Sequence, residues 1–152
     1  MTELIIHGFA GSTYTRTARM ACVEAEVPHR LVPLPFKQPA HFALHPFGRM
    51  PILQDGDVTL LESLAIVTYV DHKYGRGRLQ PADPADRARA VQRVSAGIDD
   101  IYRVVVGEFV KQEQPSAEAR KAAREQLRIV DEALAKSSYL ASDKLSVADL
   151  ML

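Results

Sequence analysis

A proline followed by a strand and a hairpin signal constrains this sequence most, in the stretch "MPILQDGDVTLLES". Pro51 cannot donate a hydrogen bond to a sheet ladder, and proline in sheets is confined to strand starts, edges and bulges. We therefore expect Pro51 to open a short strand at residues 52–54. The Asp55-Gly56 pair is typical of a hairpin turn, so residues 58–61 should return as the antiparallel partner.

The segments around this hairpin alternate between strand and helix patterns. Residues 3–9 ("ELIIHGF") and 29–36 ("HRLVPLPF") indicate strands, and residues 11–27 between them indicate a helix that begins with small polar residues. A loop rich in proline and histidine follows, and a further helix is predicted over residues 63–74. A strand–helix–strand crossover makes the first two strands parallel. The pattern therefore predicts a small mixed sheet of four strands covered by helices.

The composition changes at "GRGRLQPADPADRA", which is rich in glycine, proline and charge. Asp83 is suited to cap the next helix and Pro84 to occupy its first turn. Residues 84–112 and 116–137 then indicate two long helices without strands. We therefore expect an α/β domain at residues 1–76, a linker at 77–84 and an all-α domain at 85–152.

The last residues, "LSVADLML", carry a helix start signal. Ser146 with Asp149 three residues later is a variant of the capping box, with Asp in place of Glu. Apolar residues follow and the sequence then stops. This pattern predicts that the helical domain is incomplete, with the sequence cut short at its C-terminus.

The overall composition excludes several kinds of partner. Lys plus Arg and Asp plus Glu both number 19, so the formal net charge is zero and gives no reason to expect nucleic acid or an anionic membrane. The apolar runs are too short to span a bilayer, and no signal peptide pattern is present. Cys22 is the single cysteine, which excludes an internal disulfide and a cysteine-rich metal site. We expect a soluble cytoplasmic protein without a bound metal.

Two motifs in this order resemble the cytosolic glutathione transferases: "STYTRTAR" after the first strand and "PFGRMPILQDGDVTLLES" before the helix at residue 63. The resemblance covers essentially the whole chain and is closest to the serine-type, phi-like and bacterial enzymes. It implies a thioredoxin-like glutathione domain followed by an all-helical domain that lacks its last helices. It also implies a homodimer, with glutathione as cosubstrate, in detoxification.

The resemblance assigns parts of the glutathione site. It implies a cis Met50-Pro51 bond, which would leave the backbone of Met50 able to pair with the cysteinyl residue as an added strand. It places the γ-glutamyl carboxylate at Ser63 and the amino group near Glu62. Two simpler interpretations remain open: Pro51 protects a strand end, and Ser63 is a helix cap.

His41 and Arg49 are the candidates for the glycyl end of glutathione. The spacing of His41 from "PFG" resembles the phi class, in which a histidine and the following lysine approach the glycyl carboxylate. Here Phe42 takes the place of the lysine. Arg49 is a cation beside Met50 and could replace that contact. A loop histidine with no contact to the ligand is the alternative for His41.

Ser12 is the candidate catalytic residue, at the start of the first helix. In the serine-type enzymes a serine here donates a hydrogen bond to the glutathione sulfur. A free thiol has a pKa of about 8.5 and its thiolate is the nucleophile, so a hydroxyl donor and a helix N-terminus both favour the reactive form. Thr13 and Tyr14 carry competing hydroxyls. Cys22 falls among apolar residues in mid-helix, which predicts a buried, inert thiol.

The electrophile should meet apolar residues from both domains, although ordinary core packing is an alternative explanation for most of them. We expect this pocket to be lined by Phe9, Ala10, Tyr102, Val105 and Phe109.

The resemblance thus implies that the glutathione thiolate is conjugated to electrophilic small molecules. Two alternatives stay open on the sequence. One is a zeta-type isomerase of maleylacetoacetate, although Tyr14 stands where that class has a cysteine. The other is a non-catalytic interaction module on the same fold, because a fold alone does not determine function.

Overall fold

The computed structural model describes residues 3–152, which form two compact units. The first unit ends at Gln80 and the second spans Pro81–Leu152. The domain boundaries expected from the sequence, at residues 76 and 85, stay a prediction.

The first unit has the predicted order of strands and helices, with one addition. The Pro- and His-rich loop contains a short helix, α2, which the sequence analysis missed. Pro39 occupies the first turn of that helix, where its missing N–H costs nothing. The elements are β1 (Leu4–His7), α1 (Thr13–Glu24), β2 (His29–Val32), α2 (Pro39–Leu44), β3 (Ile52–Asp55), β4 (Val58–Leu61) and α3 (Ser63–Lys73).

The four strands form one mixed sheet, as predicted, and lie in the order β2-β1-β3-β4. β1 runs parallel to β2 and antiparallel to β3, and β4 pairs antiparallel with β3. The hairpin turn lies one residue later than expected, at Gly56-Asp57, because Asp55 pairs with Val58. Gly56 has a φ of 57°, a conformation that glycine adopts without steric cost.

The core of this unit lies between the sheet and two helices, α1 and α3, which pack against each other. Leu4 and Ile6 alternate along β1 and are fully buried. The two helices bury apolar residues at helical spacing. The fully buried apolar positions of α1 and α3 are Ala18, Ala21, Cys22, Ile66, Val67 and Val70.

A carboxylate at the end of β3 ties the hairpin to α3. The Oδ2 atom of Asp55 accepts hydrogen bonds from the hydroxyls of Tyr69 and Tyr74, at 2.8 and 2.6 Å, and from Lys73 Nζ at 2.7 Å. The Asp55 side chain is only 4% exposed. Burial alone would raise the pKa of this carboxyl, but the bonds from Lys73, Tyr74 and Tyr69 outweigh it and hold the pKa below its ordinary value of 3.8.

The second unit is helical, in agreement with the sequence. Its first helix was predicted over residues 84–112, and a continuous helical segment does cover residues 84–110. The prediction of a single α-helix is wrong for the second half, which has π-helical turns. The N–H of Lys111, for example, donates to the carbonyl of Val106, five residues earlier. The elements are α4 (Pro84–Ala96), the π segment (Gly97–Val110), α5 (Ala117–Leu134) and α6 (Val147–Met151).

The two helix starts that were predicted from capping residues, at Asp83 and Ser146, are confirmed. The Asp83 side chain accepts from two first-turn N–H groups, at 2.9 Å each. At α6 the Asp149 carboxylate accepts from the Ser146 N–H at 2.8 Å and from the Leu140 N–H at 2.8 Å. Asp149 therefore completes a capping box and also fixes the chain that leads into the helix.

Within residues 3–152, no helix combines the length and the apolar character that a membrane crossing requires.

Replacing Asp55 by Asn should lower the free energy of unfolding by about 1–2 kcal/mol at neutral pH, because charge-assisted hydrogen bonds become neutral ones. The folded-state pKa is depressed, so this stabilisation is fully present above the ordinary value of 3.8 and is lost as the pH falls through the lower folded-state value. Urea unfolding of both proteins across this range should show the difference shrinking towards acid. Asp57→Asn, an exposed position in the same hairpin, is the matched control. A difference that persisted at low pH would contradict this account.

Candidate functional site

The sheet register brings three separate segments to one end of the first unit. His7, the last residue of β1, pairs with Ile52, the first residue of β3, and Ile52 pairs with Leu61, the last residue of β4. Three segments therefore lie at the same end of the sheet: the chain just after β1, the chain just before β3 and the chain just after β4. These three segments contain Ser12, Met50 and Glu62-Ser63, so the candidate residues converge although they are far apart in sequence.

Ser12 is the N-cap of α1, with extended backbone angles of φ −77° and ψ 124°. Its Oγ accepts a hydrogen bond from the Thr15 N–H at 3.3 Å. This bond uses a lone pair and leaves the hydroxyl proton available for donation. The capping role and the predicted catalytic role are thus compatible, and the positive end of the helix lies at the same place.

The Met50-Pro51 bond is cis, as expected. Pro51 is buried and directly precedes β3, whereas Met50 is half-buried. Within the described residues 3–152, neither the N–H nor the carbonyl of Met50 has a hydrogen-bond partner. Both backbone groups therefore remain available to an extended ligand.

Glu62 and Ser63 form the junction between β4 and α3. The interpretation of Ser63 as the helix cap is wrong: Glu62 is the N-cap and Ser63 is the first helical residue. Glu62 has a φ of 65°, in the left-handed region that residues other than glycine rarely adopt. Backbone outliers of this kind cluster at binding sites, where the surrounding structure holds them. Ser63 is only 8% exposed, with its N–H in the first turn of the helix.

Arg49 and Glu62 form an ion pair. Nη2 of Arg49 lies 2.7 Å from Oε1 of Glu62, and both side chains are more than half exposed. The guanidinium also lies 5.4 Å from the centre of the Phe47 ring. The pair therefore joins two residues that the sequence analysis assigned to opposite ends of glutathione.

His41 is fully buried, which differs from the loop histidine that the sequence suggested. Its Nδ1 accepts from the Lys37 N–H at 3.0 Å, and its Nε2 lies 2.8 Å from the Arg49 carbonyl oxygen. Both ring nitrogens are occupied, so direct contact with a ligand would require one of these bonds to break. The predicted ligand contact of His41 stays a prediction.

The comparison with known proteins agrees with this geometry. Residues 6–82 match the model of the glutathione S-transferase N-terminal domain, and residues 94–152 match the model of the glutathione S-transferase C-terminal domain.

The chain belongs to the glutathione S-transferase family.

Individual relatives support the assignment over nearly the whole chain. Glutathione S-transferase 4 of Zea mays is 34% identical, over 95% of this chain and 72% of the maize protein. A diazinon-metabolizing glutathione S-transferase of the silkworm Bombyx mori superposes with a TM-score of 0.87 at 25% identity, covering 99% of this chain and 77% of its own. The theta class enzyme of Xanthomonas axonopodis pv. citri, solved with glutathione bound, gives 0.84 at 28% identity, covering 99% and 79%.

The residues predicted to line the electrophile pocket of this glutathione S-transferase come partly from the first unit and partly from the second. Phe9 is 54% exposed and Ala10 is exposed, both just after β1. Tyr102, Val105 and Phe109 are half-buried on the π segment of the second unit. The predicted electrophile pocket stays a prediction.

The competing hydroxyls differ in position. Thr13 is the first residue of α1 and Tyr14 the second, so Ser12 alone of the three precedes the helix. Tyr14 is half-buried and already has an interaction partner.

Cys22 is fully buried in α1, as predicted. Burial raises the pKa of its thiol from 9.0 to about 12, against a smaller lowering effect of Arg19. The thiol is therefore neutral at physiological pH and cannot serve as the nucleophile of this transferase.

Cys22 should resist thiol reagents in the folded protein, because the thiolate is the reactive form and the side chain has no exposed surface. We expect labelling by 5,5′-dithiobis(2-nitrobenzoate) at neutral pH to be at least about 100-fold slower than labelling of the urea-unfolded chain. The unfolded chain should release one equivalent of chromophore. Equal rates in the folded and unfolded protein would show that Cys22 is accessible.

Proposed function

We propose that this chain is a glutathione transferase that conjugates the thiolate of glutathione to electrophilic small molecules. The observation that carries the proposal is the convergence of Ser12, the Met50 backbone and Glu62-Ser63 at one end of the sheet. These groups offer what a γ-glutamyl tripeptide requires: a hydroxyl donor, an unpaired extended backbone and a helix start. The names of the matching relatives support the same activity.

Ser12 stabilises the glutathione thiolate in this proposal. Its Oγ accepts from the Thr15 N–H, so its own proton remains available for donation to the incoming sulfur. The N-terminus of α1 adds a favourable field for the anion. Each unit by which the thiol pKa falls corresponds to about 1.4 kcal/mol of preferential thiolate stabilisation. The thiolate then attacks the electrophilic carbon, a bond forms from sulfur to carbon, and the leaving group departs with its electron pair.

The site offers a partner for each remaining part of the tripeptide. The N–H and carbonyl of Met50 pair with the cysteinyl residue, and Pro51 fixes the start of β3 beside it. The γ-glutamyl carboxylate accepts from Ser63 at the start of α3, and Glu62 attracts the γ-glutamyl amino group. Arg49 attracts the glycyl carboxylate, which requires its guanidinium to leave the exposed ion pair with Glu62.

The two alternatives receive no support from the comparisons, in which the matched relatives are named glutathione S-transferases. Tyr14, which replaces the cysteine of the zeta-type isomerases, also argues against that activity. We further propose a cytoplasmic, phi-like enzyme of detoxification. No metal is required by this chemistry.

Ser12→Ala should abolish the ultraviolet thiolate band that glutathione acquires on binding near neutral pH. The thiol pKa should return towards its free value of about 8.5, because the hydroxyl donor is lost. We expect kcat for an activated aryl chloride to fall by about 100- to 1,000-fold, the range measured for the loss of a single donor to a developing charge. A difference spectrum titrated with glutathione across pH is the measurement.

Thr13→Ala and Tyr14→Phe are the controls for this experiment, because they remove the competing hydroxyls from the same helix turn. Both should keep the thiolate band. A band that survives Ser12→Ala and disappears in either control would transfer the catalytic role to that hydroxyl.

We also propose a homodimer, supported by a shallow groove of about 890 Å³ on the first unit. The groove lies along β4, an edge strand, and α3, where Leu60, Leu64 and Ala65 contribute apolar surface. A second copy would bury this surface.

Sedimentation should therefore give twice the mass of one chain, and Ala65→Arg should shift it to the monomer, because an arginine would bring an unpaired charge into the groove. Thr59→Arg, an exposed position of β4 whose side chain points to the face opposite Leu60, is the control. A dimer unaffected by Ala65→Arg would place the interface elsewhere.

A further inference from the structure

His41 joins two backbone groups at the ends of the segment 37–49. A backbone N–H can only donate, so the bond from Lys37 makes Nδ1 of the imidazole an acceptor. Nε2 then carries the proton and donates to the Arg49 carbonyl at 2.8 Å. The neutral Nε2–H tautomer is fixed by this pair of bonds.

The carbonyl that His41 holds belongs to the same peptide unit as the N–H of Met50. A peptide unit is planar, and in the trans form its C=O and N–H point in opposite directions. Cis geometry among the described residues 3–152 is confined to the next bond, Met50-Pro51. Fixing the Arg49 oxygen on the imidazole therefore fixes the direction of the Met50 N–H, away from the buried ring and towards the ligand side.

The bond from His41 to the Arg49 carbonyl also affects how strongly the Met50 N–H donates. A hydrogen bond accepted by a carbonyl polarises the peptide and strengthens its N–H as a donor. The Met50 N–H has no partner among residues 3–152, so this added donor strength is available to a ligand.

The surroundings of His41 hold the ring in place. The rings that pack closest to it are those of Phe36 and Phe42, with centroids at 5.5 and 6.1 Å. Lys37 has a φ of 57°, a strained conformation for lysine, and its N–H is held by the imidazole. The His41 ring is thus held inside the protein and has no exposed surface.

We propose that His41 is a positioning residue for glutathione, which orients the Met50 N–H through the shared peptide unit and does not itself contact the tripeptide. The proposal rests on the proposed function of Met50. It attributes the effect of His41 on glutathione binding mainly to the hydrogen bond with the Arg49 carbonyl. The hydrogen bond from the Lys37 N–H contributes less.

Two substitutions separate the two bonds. The amide oxygen of asparagine occupies roughly the place of Nδ1, so His41→Asn keeps the acceptor for Lys37 and loses the donor to Arg49. The amide nitrogen of glutamine reaches roughly the place of Nε2, so His41→Gln keeps the donor and loses the acceptor. His45→Gln is the matched control. His45 is a second buried histidine of the same segment, and its ring bonds to the Phe47 N–H and not to Arg49.

The measurements are calorimetric titration with glutathione, steady-state kinetics, and the amide resonance of Met50 in the ligand-free full chain. His41→Asn should weaken glutathione binding by about 5- to 10-fold, the range of one lost hydrogen bond, and should raise KM with kcat nearly unchanged. It should also shift the Met50 amide resonance. His41→Gln should rescue all three readouts, and His45→Gln should leave them near the wild type.

The proposal would be overturned if His41→Asn and His41→Gln had equal effects on these readouts, or if His41→Asn did not shift the Met50 amide resonance. If the wild-type chain fails to bind glutathione, the proposed function fails, while the Met50 resonance still decides whether His41 orients that peptide. If the Asn variant does not fold, the imidazole nitrogen resonances of the wild type decide. A protonated Nδ1 would overturn the proposal, and a protonated Nε2 would support it.

Discussion

The pairing of β1, β3 and β4 is the constraint on which the candidate site depends. A single row of the ladder, His7 to Ile52 to Leu61, sets where three chain segments leave the sheet. A register shift of one residue would turn every side chain of a strand to the other face, and the buried Leu4, Ile6 and Leu53 forbid it. The packing of the core thereby sets the relative positions of Ser12, Met50 and Glu62.

The same edge contains two residues with unfavourable backbone angles, Lys37 and Glu62. Each has a left-handed φ and each is tied to its surroundings, Lys37 by the His41 ring and Glu62 by the Arg49 ion pair. Such angles cost of order 1–3 kcal/mol, and a chain tolerates them where neighbouring structure holds them. The exposed ion pair alone stabilises little. The buried imidazole is therefore the stronger of the two restraints.

The sequence was informative where structure is set locally. Pro51, the hairpin and the caps at Asp83 and Ser146 are signals of a few neighbouring residues, and the structure has all of them. Features that depend on distant contacts were missed. The cap at Glu62 requires a positive φ that no local sequence pattern indicates, and the buried His41 ring bonds to the carbonyl of Arg49, eight residues away. The short helix α2 lay within a segment whose prolines and histidines favoured a loop.

The chain and its proposed substrate each contribute a thiol, and their environments give them opposite properties. Cys22 lies in the apolar interior of α1, where burial raises its pKa to about 12 and keeps it neutral. The glutathione thiol would lie at the N-terminus of the same helix, where a hydroxyl and the helix dipole favour the anion. Ten residues of one helix thus separate a site that suppresses a thiolate from one suited to stabilise it. The position of a thiol along α1 therefore decides whether it is reactive. The nucleophile of this transferase is the thiol of its substrate, so the chain needs none of its own.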